Sequence, residues 1–199
     1  VAGHIWRFDI DKNNTGSSNF AEGGIIFDAN GDSGDSLYNR FYASPSISYF
    51  KDKSGKGFLS LAICTGFRAS PLAPSVGDEF YISKDYHVSG KPSSYNTLTP
   101  SNLSAHALTT THEYYQIAHN SDSSHGWKFS LPRASEKVIN SALTTHGRFI
   151  FTSFSPNSDP NPGSCSYDLG TTDAYTIYFS DDNNEGPEVL PPNPPPPLP

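Results

Sequence analysis

The residues with most chemical potential in this chain are acidic and amide side chains at alternate positions. Asp28, Asn30 and Asp32 have that spacing, and so do Asp9, Asp11, Asn13 and Thr15. Asp181, Asp182, Asn183 and Glu185 form a third acidic cluster. A turn that points alternate oxygens to one side suits a calcium ion. Neither of the first two sets carries the mid-loop glycine and closing glutamate of a helix–loop–helix calcium site. Solvated turns account for all three sets, so no metal is assigned. Calcium at Asp28, Asn30 and Asp32 is the one ion kept as a candidate.

Other chemistries find less support. The seven histidines are scattered, and no HExxH pair of zinc ligands occurs. Gly31-Asp32-Ser33-Gly34 resembles the nucleophile loop of trypsin-like proteases, but only His4 precedes Ser33, and Asp35 replaces a following glycine. No glycine-rich phosphate cradle follows a strand. The chain is therefore read as having no catalytic residues and no cofactor. The two cysteines, Cys64 and Cys165, include no CxxC pair and cannot build a zinc site by themselves. In an exported protein a Cys64–Cys165 disulfide closes a loop of about 100 residues and contributes roughly 4–5 kcal/mol. The other reading is two separate buried thiols.

Whatever these residues do, sheets must position them. Aromatic residues make up 13% of the chain, mostly its 13 Phe and 11 Tyr, which suits pleated surfaces better than helix bundles. Strand patterns run over 3–10, with Trp6, Phe8 and Ile10 on one face, and over 24–27, 46–50, 58–65, 79–83, 113–118, 126–131 and 174–179. Segments 137–143 and 148–154 predict a hairpin around Thr145-His146-Gly147. Segment 89–104 reads as a long polar excursion, and 135–142 admits one short helix at most. Pro187 to Pro199 is a proline-dense tail that can only be extended. The chain thus divides into 1–186 and a tail, 187–199. Gly3–Gly16, Asp78–Gly90 and Asp173–Gly186 share a strand–turn–glycine shape of the kind bladed propellers repeat.

A net charge of −7 argues against nucleic acid as a partner and against attraction to an anionic membrane surface. No apolar run is long enough to span a bilayer. The chain contains no Met, which reads as a piece processed from a larger precursor.

The string GHIWRFDI at 3–10, followed by Gly23-Gly24-Ile25-Ile26-Phe27, resembles a strand motif of the PilY/PilC-type proteins associated with the tips of type IV pili. FLSLAICTGFR at 58–68, Phe80-Tyr81-Ile82 with Asp85, GWKFSLP at 126–132, EKVI at 136–139 and GRFIFTSFSP at 147–156 follow in matching order, with Asp159 and Cys165 after them. The resemblance covers roughly residues 3–180. It implies a modified β-propeller, extracellular exposure, and roles in adhesion and pilus assembly. It departs from the family in three ways: its acidic calcium loop falls outside the chain, the stretch after Cys165 is poor in glycine, and only part of a propeller is spanned. The expectation is an all-β protein, its antiparallel sheets forming blades of a partial or modified propeller. Its function would be extracellular interaction, with other chains of a pilus-tip assembly or a host surface as partners. The alternatives are a structural subunit of a self-assembling or partner-completed assembly, and a carbohydrate-binding or hydrolase β-domain.

Overall fold

The computed structural model describes residues 3–11, 20–32, 39–52, 54–72, 78–108, 114–118, 125–156 and 170–180. Twelve strands follow in order: β1 (His4–Ile10), β2 (Ala21–Asp28), β3 (Ser46–Lys51), β4 (Gly57–Cys64), β5 (Glu79–Asp85), β6 (Ser104–Ala107), β7 (Tyr114–Ala118), β8 (Gly126–Ser130), β9 (Lys137–Val138), β10 (Leu143–Thr145), β11 (Arg148–Ser155) and β12 (Thr171–Ser180). A 3-10 turn, Pro100–Asn102, precedes β6. No helix among the described residues is long and apolar enough to cross a membrane.

The strands make three sheets. A central sheet runs β3-β4-β5-β8-β6, a second runs β10-β11-β12-β7 with β9 also on β11, and β1 pairs with β2 alone among the described residues. Most pairs are antiparallel, but β6 joins β8 and β7 joins β12 in parallel.

The two large sheets share one apolar layer. Ala62, Phe80, Ile82, Trp127 and Phe129 from the central sheet meet Ile117, Phe149, Phe151, Tyr175 and Ile177 from the second. Tilted rings carry the contact, with Phe80 and Phe151 centroids 4.3 Å apart and Phe50 and Phe179 centroids 5.0 Å apart. The central sheet is also covered on its other face. There Leu61, Ile63 and Tyr81 pack against Ile5 and Phe27 of the β1–β2 hairpin and against Phe41. This is why β4 reads as an almost unbroken apolar run: both of its faces are buried.

All-β architecture is as expected. The described residues form no closed barrel or propeller, and blades around a central channel are not among them. The predicted turn is present: Leu143–Thr145 pairs with Arg148–Ile150, and His146 and Gly147 have φ of 45° and 71°. Positive φ at both loop residues matches the twist of a two-residue hairpin, and Gly147 accepts it at little steric cost. Its first arm is shorter than predicted, because Lys137 and Val138 pair separately with Phe154 and Ser153. The same pairing corrects the one short helix admitted over 135–142, since those two residues are strand. The polar excursion is not detached either. Leu98 bridges to Phe27, and Pro92, Pro100 and Leu103 are buried. The proline tail, Cys165 and Asp181 to Glu185 lie outside the described residues.

Candidate functional site

The β1–β2 hairpin has two chemically opposite faces. Strand alternation sends Ile5, Arg7 and Asp9 toward the central sheet and Trp6, Phe8 and Ile10 away from it. The outward side chains are 53%, 65% and 66% exposed. Trp6 and Phe8 stack with centroids 6.0 Å apart and planes 7° apart. The predicted shared face is therefore present, but it faces outward rather than into the core. Two adjacent glycines make this possible on the partner strand. A side chain at Gly23 would collide with the Phe8 ring, and one at Gly24 would collide with Tyr95 from the opposite side.

The inward face is ionic. The Arg7 guanidinium donates to both Asp9 oxygens at 2.8 and 2.6 Å and to Asp85 Oδ2 at 2.6 Å. It also donates to the carbonyls of His87 and Gly90. Tyr95 Oη donates to Asp9 at 2.8 Å. Asp85 Oδ1 accepts from the His87 backbone N–H at 2.9 Å and lies 3.1 Å from the His87 ring. Lys91 pairs with Glu22 at 2.9 Å on the rim. Hydrogen bonds from Arg7, supported by Tyr95, hold the Asp9 carboxyl below the usual carboxylate range. Burial opposes the Asp85 charge, yet the His87 N–H and Arg7 outweigh it and hold that carboxyl low as well.

Arg7 forms part of the wall of a cleft of about 560 Å³ between the hairpin, the 89–98 segment and the end of the central sheet. Leu61, Ile26 and Leu98 supply its apolar surface, and Tyr86 and Tyr95 supply rings. Asp52, Lys56, Asp85 and His87 supply charge and hydrogen bonding. Ser83 also lines it, buried on the hairpin-facing side of β5.

The calcium candidates have separate engagements. Asp28 accepts from the Asn30 N–H at 2.9 Å and lies 3.4 Å from the His4 ring. The Asn30 amide exchanges hydrogen bonds with the backbone of Asn39 at 2.7 and 3.0 Å. Asp32 accepts from the Ser101 N–H at 2.5 Å and from its hydroxyl at 2.9 Å, holding the 3-10 turn. No group of three or more His, Cys, Asp or Glu suited to a metal occurs among the described residues. Cys64 is buried at the end of β4, and burial pushes its thiol pKa up. Asp9 belongs to the Arg7 cluster, while Asn13 and Thr15 lie outside the described residues.

Sequence reading missed this ionic face. Its signal was present: in Trp6-Arg7-Phe8-Asp9-Ile10 the charges alternate with apolar residues, and the charges take the inward side. Asp85, the distant carboxylate, is 78 residues from Arg7 and gives no local sign. Compared with protein-family models, with curated proteins and with solved structures, the chain matches none.

Proposed function

We propose that the chain is an extracellular interaction module of the kind associated with type IV pili, and that the outward face of the β1–β2 hairpin is its contact surface. One observation carries the proposal: Trp6, Phe8 and Ile10 form an exposed apolar stripe on a two-stranded sheet. Contiguous exposed apolar residues mark interaction surfaces, and aromatic anchors dominate binding energy at them. The free edge of β1 supports a protein partner, since β1 pairs only with β2 among the described residues. An open edge accepts an added strand. The acidic balance of the chain points away from nucleic acid and anionic lipid. In this reading the two large sheets stand as neighbouring blades of an incomplete propeller that other chains of the assembly complete. The role is binding, not catalysis.

Purified type IV pili provide the test. The chain is expected to co-sediment with them. The double variant Trp6→Ser/Phe8→Ser is expected to bind about tenfold more weakly or worse. Because both side chains are exposed, its melting temperature should stay within a few degrees of the parent. Failure of the parent chain to co-sediment at micromolar concentration rejects the pilus reading.

A further inference from the structure

We infer that the open edge of β1 pairs with β1 of a second copy of this chain, antiparallel and centred on Phe8. The inference rests on the reading of β1 as a contact element and names the partner at its edge. It starts from where the backbone groups of β1 point. In an antiparallel ladder, pairs of residues that exchange both hydrogen bonds alternate with pairs that exchange none. The Asp11 N–H donates to the Phe20 carbonyl at 2.9 Å, and Asp9 and Arg7 lie opposite Glu22 and Gly24 in the same register. The backbone groups of Arg7, Asp9 and Asp11 therefore turn toward β2. Those of Trp6, Phe8 and Ile10 turn the other way, where no second strand pairs with β1 among the described residues. Such a row of groups is a template for an added strand.

The sequence of that edge selects its occupant. Trp6-Arg7-Phe8-Asp9-Ile10 reads apolar, cation, apolar, anion, apolar, and it complements its own reverse. Centred on Phe8, an antiparallel pair sets Phe8 opposite Phe8 of the second copy, Trp6 opposite Ile10, and Arg7 opposite Asp9. The outward backbone groups of Trp6, Phe8 and Ile10 are then the ones that bond across the new ladder. Moving the second copy by two residues sets Arg7 against Arg7 or Asp9 against Asp9, and like charges directly opposite each other are destabilising. A slip of one residue turns the apolar set of one copy against the charged set of the other. The register also shifts between Ile5 and Trp6, so the regular stretch that remains, Trp6 to Ile10, is symmetric about Phe8. The product is a four-stranded sheet in the order β2-β1-β1-β2. Its two apolar stripes lie on the same face, so pairing at the edge doubles the surface offered to a further partner.

Sedimentation equilibrium of the chain, without pili, is expected to approach the mass of two chains by about 200 micromolar, as befits a small interface. Cysteine scanning tests the register. Under mild oxidation Phe8→Cys is expected to give a covalent dimer, because bonded pairs hold their Cα atoms about 5.5 Å apart, within reach of a disulfide. Trp6→Cys and Ile10→Cys should each stay uncrosslinked, since each position lies about 14 Å along the strands from its own copy. Mixed together, those two variants should crosslink. The parent, with its own two cysteines, is the blank. All three altered side chains are exposed, so the variants should melt within a few degrees of the parent. A mass of one chain up to about 200 micromolar, no dimer from Phe8→Cys, or crosslinking of Trp6→Cys or Ile10→Cys alone as fast as their mixture would each overturn the inference. A chain that dimerises but does not co-sediment with pili rejects the pilus reading alone, and a monomer that co-sediments rejects the pairing alone.

Discussion

Glu136→Ala is expected to destabilise the protein by about 3–5 kcal/mol, the range for leaving buried polar partners uncompensated. Glu136 is 2% exposed and accepts three hydrogen bonds. Ser153 Oγ and Tyr175 Oη donate to Oε1, and the Arg133 N–H donates to Oε2 at 2.9 Å. Those donors come from β11, from β12 and from the segment before β9, so one carboxylate ties three pieces of the second sheet together. Burial, with the Glu136 carboxylate beside it, pushes the Tyr175 phenol pKa far up, which keeps it protonated and donating. Next to Glu136, Lys137 is wholly buried and donates to the Ser135 carbonyl at 2.9 Å. Glu136→Gln keeps one acceptor oxygen but sets an amide N–H₂ against one of the donors. Its loss should be about half that of the alanine variant. Urea unfolding followed by the fluorescence of buried Trp127 measures both. A loss below about 1 kcal/mol in Glu136→Ala would refute this role.

Arg7→Met is expected to cost about 2–3 kcal/mol and to act locally. It removes the three hydrogen bonds that fasten the hairpin to Asp85 and to the 87–90 segment, along with two to Asp9 on the same strand, while leaving the second sheet untouched. Hydrogen-exchange protection should fall across β1 and β2 and stay level in β11 and β12. The same cluster sets an acid limit. Asp9 and Asp85 have folded pKa values below the ordinary 3.8. A depressed carboxylate stabilises the fold above its unfolded pKa and loses that contribution as the pH falls through the folded value. Protection of the hairpin should therefore be full near neutrality and decline below about pH 4. In Arg7→Met that acid dependence should shrink. Equal acid sensitivity in parent and variant would remove Arg7 as its source.

How much of this was legible in the sequence depends on the range of the interaction. The alternation Arg148-Phe149-Ile150-Phe151-Thr152-Ser153-Phe154-Ser155 became a strand whose burial alternates at every residue. The His146-Gly147 turn was readable because turn geometry is local. Trp6, Phe8 and Ile10 were readable as a set but not in direction, since alternation defines a face and not what covers it. Glu136 and Lys137 gave no warning of burial. Two of the three donors that satisfy Glu136 arrive 17 and 39 residues later, and only the assembled sheet brings them together. The cleft was illegible for the same reason: its walls come from β1, the end of β5 and the 89–98 segment.

The parallel pairing of β7 with β12 bears on how the chain is made. Ala118 sits opposite Ser180, so β7 waits for about 60 further residues before its partner strand exists. At about 5–20 residues per second of synthesis, that is a delay of roughly 3–12 seconds. For that interval β7 trails from the ribosome as an unclaimed strand, and the nascent chain has to be shielded or moved onward before its second sheet can close.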